Sequence, residues 1–229
     1  MIYRLILLRH GQSQWNLENR FTGWTDVDLS DKGREEAREA GEKLLKAGIL
    51  PEYYFTSYLK RAIHTLDIAA DAMDRAWVPV TKDWHLNERH YGALQGLNKA
   101  DTAAKYGDEQ VHIWRRSFDV EPPALTADDE RWPGHDHRYD TLSKEQLPLT
   151  ESLATTIHRV DACWEERIEP ALRLYHTVLV AAHGNSLRGL AMRLLGISRE
   201  KIPSLEIPTG APWVLELNDR MEVVKNYYL

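Results

Sequence analysis

Two stretches of this chain are apolar without alternation: Ile2–Leu8, broken only by Arg4, and Thr177–Ala182. Short, branched, nearly continuous runs of this kind predict strands buried on both faces of a parallel sheet. Each leads straight toward a histidine, His10 after the first and His183 after the second. Elsewhere apolar or small residues recur every three or four positions. After Ser30, a candidate N-cap, Ala37, Ala40, Gly41, Leu44 and Leu45 mark one face of a surface helix that Gly48 can stop. Tyr53–Thr56 reads as a short strand, followed by helical spacing at Leu59, Ala62, Ile63, Leu66, Ala69 and Met73. Leu153, Ile157, Val160 and Trp164 predict a third helix, which Pro170 should bend or end, and Leu187–Leu195 a fourth, closed by Gly196. Val78–Val80 is strand-like, and Pro212–Leu217 with Met221–Tyr227, on either side of Asn218 and Asp219, predicts a terminal hairpin.

Strands alternating with helices imply an α/β domain with a largely parallel sheet and right-handed crossovers. Between Asn87 and Thr150 the periodicity fades, and Pro122, Pro123, Pro133, Pro148 and the charged stretch Asp128–Arg131 mark an irregular insertion that would cap the site. Residues 1–229 thus read as one domain carrying an insertion at about 87–150, with no internal repeat.

Composition narrows the function classes. With 43% hydrophobic and 28% charged residues the chain lies far from the disordered regime. Its first apolar run is too short to span a bilayer or serve as a secretory core, which points to a cytoplasmic protein without membrane association. The single cysteine, Cys163, allows neither an internal disulfide nor a cysteine-rich zinc site and fits a reducing compartment. A net charge of −6 argues against nonspecific nucleic-acid binding, yet several arginines converging in one cleft can still hold a small anion.

The candidate chemistry sits at the strand ends, where open α/β sheets place their ligands. Leu7-Leu8-Arg9-His10-Gly11-Gln12-Ser13 presents an imidazole, competent as a phosphoryl acceptor near neutral pH, beside a glycine that would let backbone approach a phosphate. Alone, that segment is equally compatible with a polar strand end. Ala182-His183-Gly184-Asn185-Ser186 supplies a second histidine, suited to steady the transferring oxygens while the first attacks, and the following helix could add N–H groups from its N-terminus. Arg9, Arg61, Arg115 and Arg116 are guanidinium candidates for bidentate phosphate or carboxylate recognition. Glu88, within Asn87-Glu88-Arg89-His90-Tyr91-Gly92, could exchange a proton with a leaving hydroxyl. His135-Asp136-His137 has metal-like residue types but no third ligand nearby, so a metal is not expected there.

These segments, together with Trp15-Asn16, Arg20-Phe21-Thr22-Gly23-Trp24, Leu59-Lys60-Arg61-Ala62, Gln95-Gly96-Leu97-Asn98-Lys99 and Trp114-Arg115-Arg116-Ser117, closely resemble cofactor-dependent phosphoglycerate mutases over nearly the whole chain. The His10 motif alone resembles the wider histidine phosphatase superfamily, while the Asn87–Lys99 block and the Arg115-Arg116 pair are mutase-like. The resemblance implies a three-layer α/β/α fold with a largely parallel central sheet. It also implies interconversion of 3-phosphoglycerate and 2-phosphoglycerate with 2,3-bisphosphoglycerate as cofactor, no metal, and a homodimer or homotetramer. By position, His10 is the implied phosphoryl carrier, His183 the charge stabiliser and Glu88 the proton donor and acceptor. Arg9, Ser13, Asn16, Arg61, Gly184 and Asn185 would surround the transferred group, and Thr22, Gly23, Tyr91, Lys99, Arg115 and Arg116 would hold the rest of the ligand.

Two other readings stay open: a phosphatase in which water takes the phosphoryl group, and an inactive phosphoester-binding scaffold, against which the presence of both histidines and Glu88 counts. Many family members also continue beyond the equivalent of Leu229 into a Gly- and Lys-containing tail over the site, so a chain lacking one is expected to leak phosphoryl groups to water. The His10 assignment has a direct test. His10→Ala should abolish phosphoenzyme formation, and acid-quenched mass spectrometry of the unmodified sequence should find the phosphate on His10; a stoichiometric label elsewhere would overturn the assignment.

Overall fold

The computed structural model describes residues 1–229. Its elements run β1 (Tyr3–Arg9), α1 (Gln14–Leu17), α2 (Asp31–Lys46), β2 (Tyr53–Thr56), α3 (Lys60–Ala72), β3 (Val80–Lys82), α4 (Lys99–Tyr106), α5 (Asp108–Arg116), α6 (Leu153–Cys163), α7 (Glu169–Tyr175), β4 (Thr177–Ala182), α8 (Gly184–Leu195), β5 (Trp213–Leu217) and β6 (Val223–Tyr228). The six strands form one sheet in the order β3-β2-β4-β1-β5-β6. The pairs β3–β2, β2–β4 and β4–β1 are parallel, and β5 and β6 close one edge as the expected antiparallel hairpin.

The unbroken apolar runs are explained by what lies on either side of the sheet. Leu5 and Leu7 of β1, with Val178, Val180 and Ala182 of β4, face a core completed by Val160, Trp164, Ile168, Leu172, Leu187 and Leu190 from the helical segment 153–175 and from α8. Ile6, Leu8, Leu179 and Ala181 point the other way, onto Ala40 and Leu44 of α2 and Leu66, Ala69 and Ala70 of α3. Alternate residues of each central strand therefore serve different cores, so no polar side chain stands between Leu5 and Leu8 or between Val178 and Ala182. The result is a three-layer α/β/α fold with a mostly parallel central sheet. None of its helices is long and apolar enough to cross a membrane.

Local chemistry sets most boundaries. Ser30 caps α2 by accepting from the Gly33 N–H (3.1 Å), and Gly196 ends α8 in the left-handed region, φ 62°. Pro170 does not end its helix. It sits in the first turn of α7, and the chain accommodates it with a π turn over Trp164–Ile168, which leaves room for a residue that has no N–H to donate. The helical segment then runs on to Tyr175. The strand expected at Val78–Val80 lies slightly later, at Val80–Lys82.

The insertion is less irregular than the sequence suggests at its start. Lys99–Tyr106 and Asp108–Arg116 are helices, but each buries a single residue, Thr102 and Val111, so neither prints a clear apolar stripe. From Ser117 to Thr150 only short 3₁₀ turns interrupt the loop, at 133–135, 137–139 and 144–146. This part is anchored by Tyr139 and Leu147, which pack with Trp24 and Trp84. His135 faces the Ala127 carbonyl and His137 pairs with Asp140, both at the surface.

One close approach fixes the loop after β1. A Cβ on Gly11 would lie 2.1 Å from the Gly33 carbonyl oxygen, and the Gly11 N–H donates to Thr65 Oγ1 (3.0 Å). Gly11 is therefore required by its contact with α2, and its N–H is already used, contrary to the expectation that it clears space for a phosphate. Gly11→Ala should destabilise the protein by about 1–3 kcal/mol, the usual cost of overpacking, as read by urea unfolding. An unchanged midpoint would show that the loop shifts freely.

Candidate active site

Three adjacent parallel strands bring their carboxyl ends to one edge. In the registers, Arg9 lies opposite Ala182 and Thr56 opposite Ala181, and the His10 N–H donates to the Ala182 carbonyl (3.0 Å). The next residues of β1 and β4 are His10 and His183, whose rings lie 5.0 Å apart between centroids. Both imidazoles are buried, at 3% and 0% exposure, so solvent cannot decide their protonation.

His10 Nδ1 lies 2.7 Å from the Gly11 carbonyl oxygen. A carbonyl only accepts, so Nδ1 carries the proton and Nε2 keeps its lone pair. Burial, reinforced by Arg61 and Arg9, holds the imidazole well below its ordinary pKa. The ring is neutral, and the carbonyl fixes its tautomer. His183 is likewise held well below its ordinary value, by burial and then by Arg61, His10, Arg159 and Arg9. Its buried Nδ1 makes no full hydrogen bond, and the side chain lies against the backbone N–H of Ser186 in the first turn of α8.

In front of these rings opens a cleft of about 120 Å³ lined by seven cationic side chains, Arg9, Arg20, Arg61, Lys99, Arg115, Arg116 and Arg188, and two carboxylates, Glu88 and Glu206. Arg61 is 1% exposed. It spends its donors on the carbonyls of Thr25 (3.0 Å) and Gly23 (2.7 Å) rather than on a carboxylate, and burial pulls its pKa down to about 10. Arg9 donates through Nη1 to the Ile207 carbonyl (2.7 Å), while its buried Nε has no partner. A buried cation without a counter-ion is costly. The orphaned donor Arg9 Nε and the buried Arg61, which forms no salt bridge, are what an anion entering the cleft would satisfy.

Glu88 reaches this edge from the turn after β3. Its Oε1 accepts from the Arg89 N–H (2.7 Å) and from the Asn185 N–H (3.2 Å) in the first turn of α8. The N-terminus of α8 thus holds the protein's own carboxylate. Arg159 fixes the main chain behind it, donating to the carbonyls of His85, Asn87 and Glu88, and is itself held by Glu151 (2.7 Å) with both side chains buried.

Of the residues named from sequence, Arg9, His10, Asn16, Thr22, Gly23, Arg61, Glu88, Tyr91, Lys99, Arg115, Arg116, Gly184 and Asn185 all line the cleft, and His183 lies directly behind it. Ser13 does not. It caps α1, accepting from the Asn16 N–H (3.1 Å), and thereby places Asn16 rather than reaching the cavity. Arg20, Phe21, Arg188 and Glu206 were missed. Arg188 follows Asn185 by three residues and donates to its Oδ1 (3.1 Å), a helical spacing readable in the sequence once α8 is assigned. Glu206 pairs with Arg116 (2.7 Å) from a loop that carries no motif.

The sequence profile of the histidine phosphatase superfamily (branch 1) matches residues 5–130 and 124–229. The chain belongs to that superfamily, whose members transfer phosphoryl groups. Among solved structures, a mycobacterial glucosyl-3-phosphoglycerate phosphatase in complex with VO3 is 25% identical, with a TM-score of 0.73 over 99% of this chain and 97% of that one. A putative alpha-ribazole-5′-P phosphatase from Escherichia coli is 22% identical, with a TM-score of 0.72 over 99% and 94% of the two chains. The alpha-ribazole phosphatase from Shigella flexneri is 20% identical, with a TM-score of 0.71 over 97% and 94%. The last two bear on the fold alone.

Burial, with Arg115, Arg9 and Arg116 adding to it, lowers the pKa of Lys99 to about 8. A depressed amine is charged below that value and neutral above it. Affinity for a small anion such as sulfate, measured by calorimetry, should therefore fall as pH rises through about 8, and this step should vanish in Lys99→Arg. A profile identical in the two proteins would remove Lys99 from anion binding.

Proposed function

We propose that this enzyme interconverts 3-phosphoglycerate and 2-phosphoglycerate as a 2,3-bisphosphoglycerate-dependent phosphoglycerate mutase of glycolysis and gluconeogenesis. The observation that carries the reading is the charge at two distances in one small cleft. Arg9, Arg61 and the histidines surround the transfer centre, while Lys99, Arg115 and Arg116 come from the insertion and wall the rest of the cavity. A phosphomonoester needs only the first set. A three-carbon acid with a second anionic group needs both.

In this reading His10 Nε2 forms a bond to phosphorus as the phosphorus–oxygen ester bond breaks, and Glu88 gives its proton to the departing oxygen. In the return half, phosphorylated His10 yields its group to a hydroxyl whose proton Glu88 takes back. Arg9, Arg61 and His183 spread the charge of the equatorial oxygens, so no metal is needed. The orphaned donor Arg9 Nε fits a phosphoryl group of 2,3-bisphosphoglycerate, which Arg9, Asn16, Arg61 and Asn185 would hold at one end and Thr22, Gly23, Tyr91, Lys99, Arg115 and Arg116 at the other. When bound, that cofactor supplies the phosphoryl group that primes His10. The reading also makes the protein a cytoplasmic homodimer or homotetramer, with bisphosphoglycerate mutase or phosphatase activity as a minor side reaction.

A second reading has an observation behind it. The structure 25% identical to this chain is that of a glucosyl-3-phosphoglycerate phosphatase, so water could be the acceptor and a glycosylated phosphoglycerate the substrate. A coupled assay with 3-phosphoglycerate, with and without 2,3-bisphosphoglycerate, separates the two when phosphate release is followed in parallel. The mutase reading expects isomerisation that rises steeply with the cofactor and little free phosphate. Rapid phosphate release from glucosyl-3-phosphoglycerate without isomerisation would replace it with the phosphatase.

A further inference from the structure

Two carboxylates line the cleft, and the proposed chemistry uses only one of them. Glu88, held by main-chain N–H groups, exchanges the proton. Glu206 has no such task, and its negative charge opposes any anion that the surrounding cations attract. Its Oε1 lies 2.7 Å from Arg116 Nη2, in the part of the cavity walled by Lys99, Arg115 and Arg116. Of those three cations, Arg116 is the one engaged in an ion pair.

The geometry lets that carboxylate leave. The Glu206 side chain is 66% exposed, so it can turn into water and stay hydrated. Arg116 also donates through Nη1 to the Pro203 carbonyl (3.2 Å), a bond that keeps the guanidinium in place when Glu206 departs. The donor edge facing Glu206 would then be free, with its position unchanged, for another oxyanion of the same shape.

We propose that Glu206 is a specificity-determining residue: it occupies Arg116 as a displaceable counter-ion, which the carboxylate of a doubly anionic ligand must replace. The inference rests on the reading of the cleft as a site for a three-carbon acid with two anionic groups. Such a ligand exchanges one ion pair for another at Arg116, so its gain there is only the difference between the two. A phosphomonoester without a second anionic group leaves Arg116 with Glu206 and binds without the exchange. Glu206 thereby narrows the preference for phosphorylated acids over neutral phosphoesters, and it keeps Arg116 paired whenever the site is empty.

Calorimetry with 3-phosphoglycerate and with glycerol 3-phosphate, which lacks the carboxylate, separates the two kinds of ligand. Glu206→Gln keeps the length of the side chain and removes its charge. It should tighten 3-phosphoglycerate binding roughly two- to fivefold, the range of a solvent-screened ion pair, and leave glycerol 3-phosphate binding nearly unchanged. In an Arg116→Gln background the same substitution should alter neither affinity. Equal tightening of both ligands would assign the effect to the general charge of the cleft, and a gain that persists without Arg116 would assign it to another cation. Either result, or no gain at all, overturns the inference. Isomerisation followed in parallel keeps it apart from the mutase reading. Selective tightening without isomerisation removes that reading alone, and isomerisation without selective tightening removes this one alone.

Discussion

The parallel pairing of β1 with β4 is the constraint on which everything at the site depends. With Arg9 opposite Ala182, the two residues that follow are side by side whatever the loops beyond them do, and the His10 N–H extends the ladder by one further bond to the Ala182 carbonyl. A slip of one residue would invert both strands between their two cores. Leu5, Leu7, Val178 and Val180 would exchange layers with Ile6, Leu8, Leu179 and Ala181, and that exchange would replace a whole set of fitted contacts. The hydrophobic packing of the domain thereby enforces the spacing of the two imidazole rings, and no loop has to.

Around that fixed pair the protein gathers positive charge against its own overall sign. The chain carries a net charge of −6, yet seven cationic side chains line one cleft. Several are held by backbone carbonyls instead of carboxylates, Arg61 by Gly23 and Thr25, and Arg9 by Ile207. Carbonyl partners satisfy the donors without cancelling the charge. The field stays available to an incoming anion, and the histidines, surrounded by it and shut off from water, remain neutral.

Much of this was legible in the residues alone because it follows from short-range rules. Branched apolar runs ending in histidine announced the central strands, and Ser30 and Gly196 marked their helices through capping chemistry. What stayed hidden depends on contacts far apart in sequence. Arg159 grips the carbonyls of His85, Asn87 and Glu88, more than seventy positions earlier, and no spacing rule connects them. Glu206 and Arg20 enter the cleft from loops whose sequence follows no period. The helices α4 and α5 escaped for a different reason, since an element that buries one side chain leaves almost no hydrophobic signature. Ser13 caps α1 and stays out of the cavity lining, a distinction hidden in the sequence because a cap and a ligand contact call for the same hydroxyl.

The loop that closes the far side of the cleft is held in an unusual way. Arg116, Arg188 and Arg9 donate to the carbonyls of Pro203, Leu205 and Ile207, every second residue as the chain leaves the 3₁₀ turn Ile202–Ser204. A main-chain oxygen is present at every position whatever amino acid occupies it. The grip therefore places little demand on the side chains between those points, and residues such as Glu206 can be exchanged by mutation while the loop keeps its course. Selection is left a rim whose chemistry can drift independently of its architecture, so descendants of this fold could acquire new ligand preferences there without first rebuilding the scaffold.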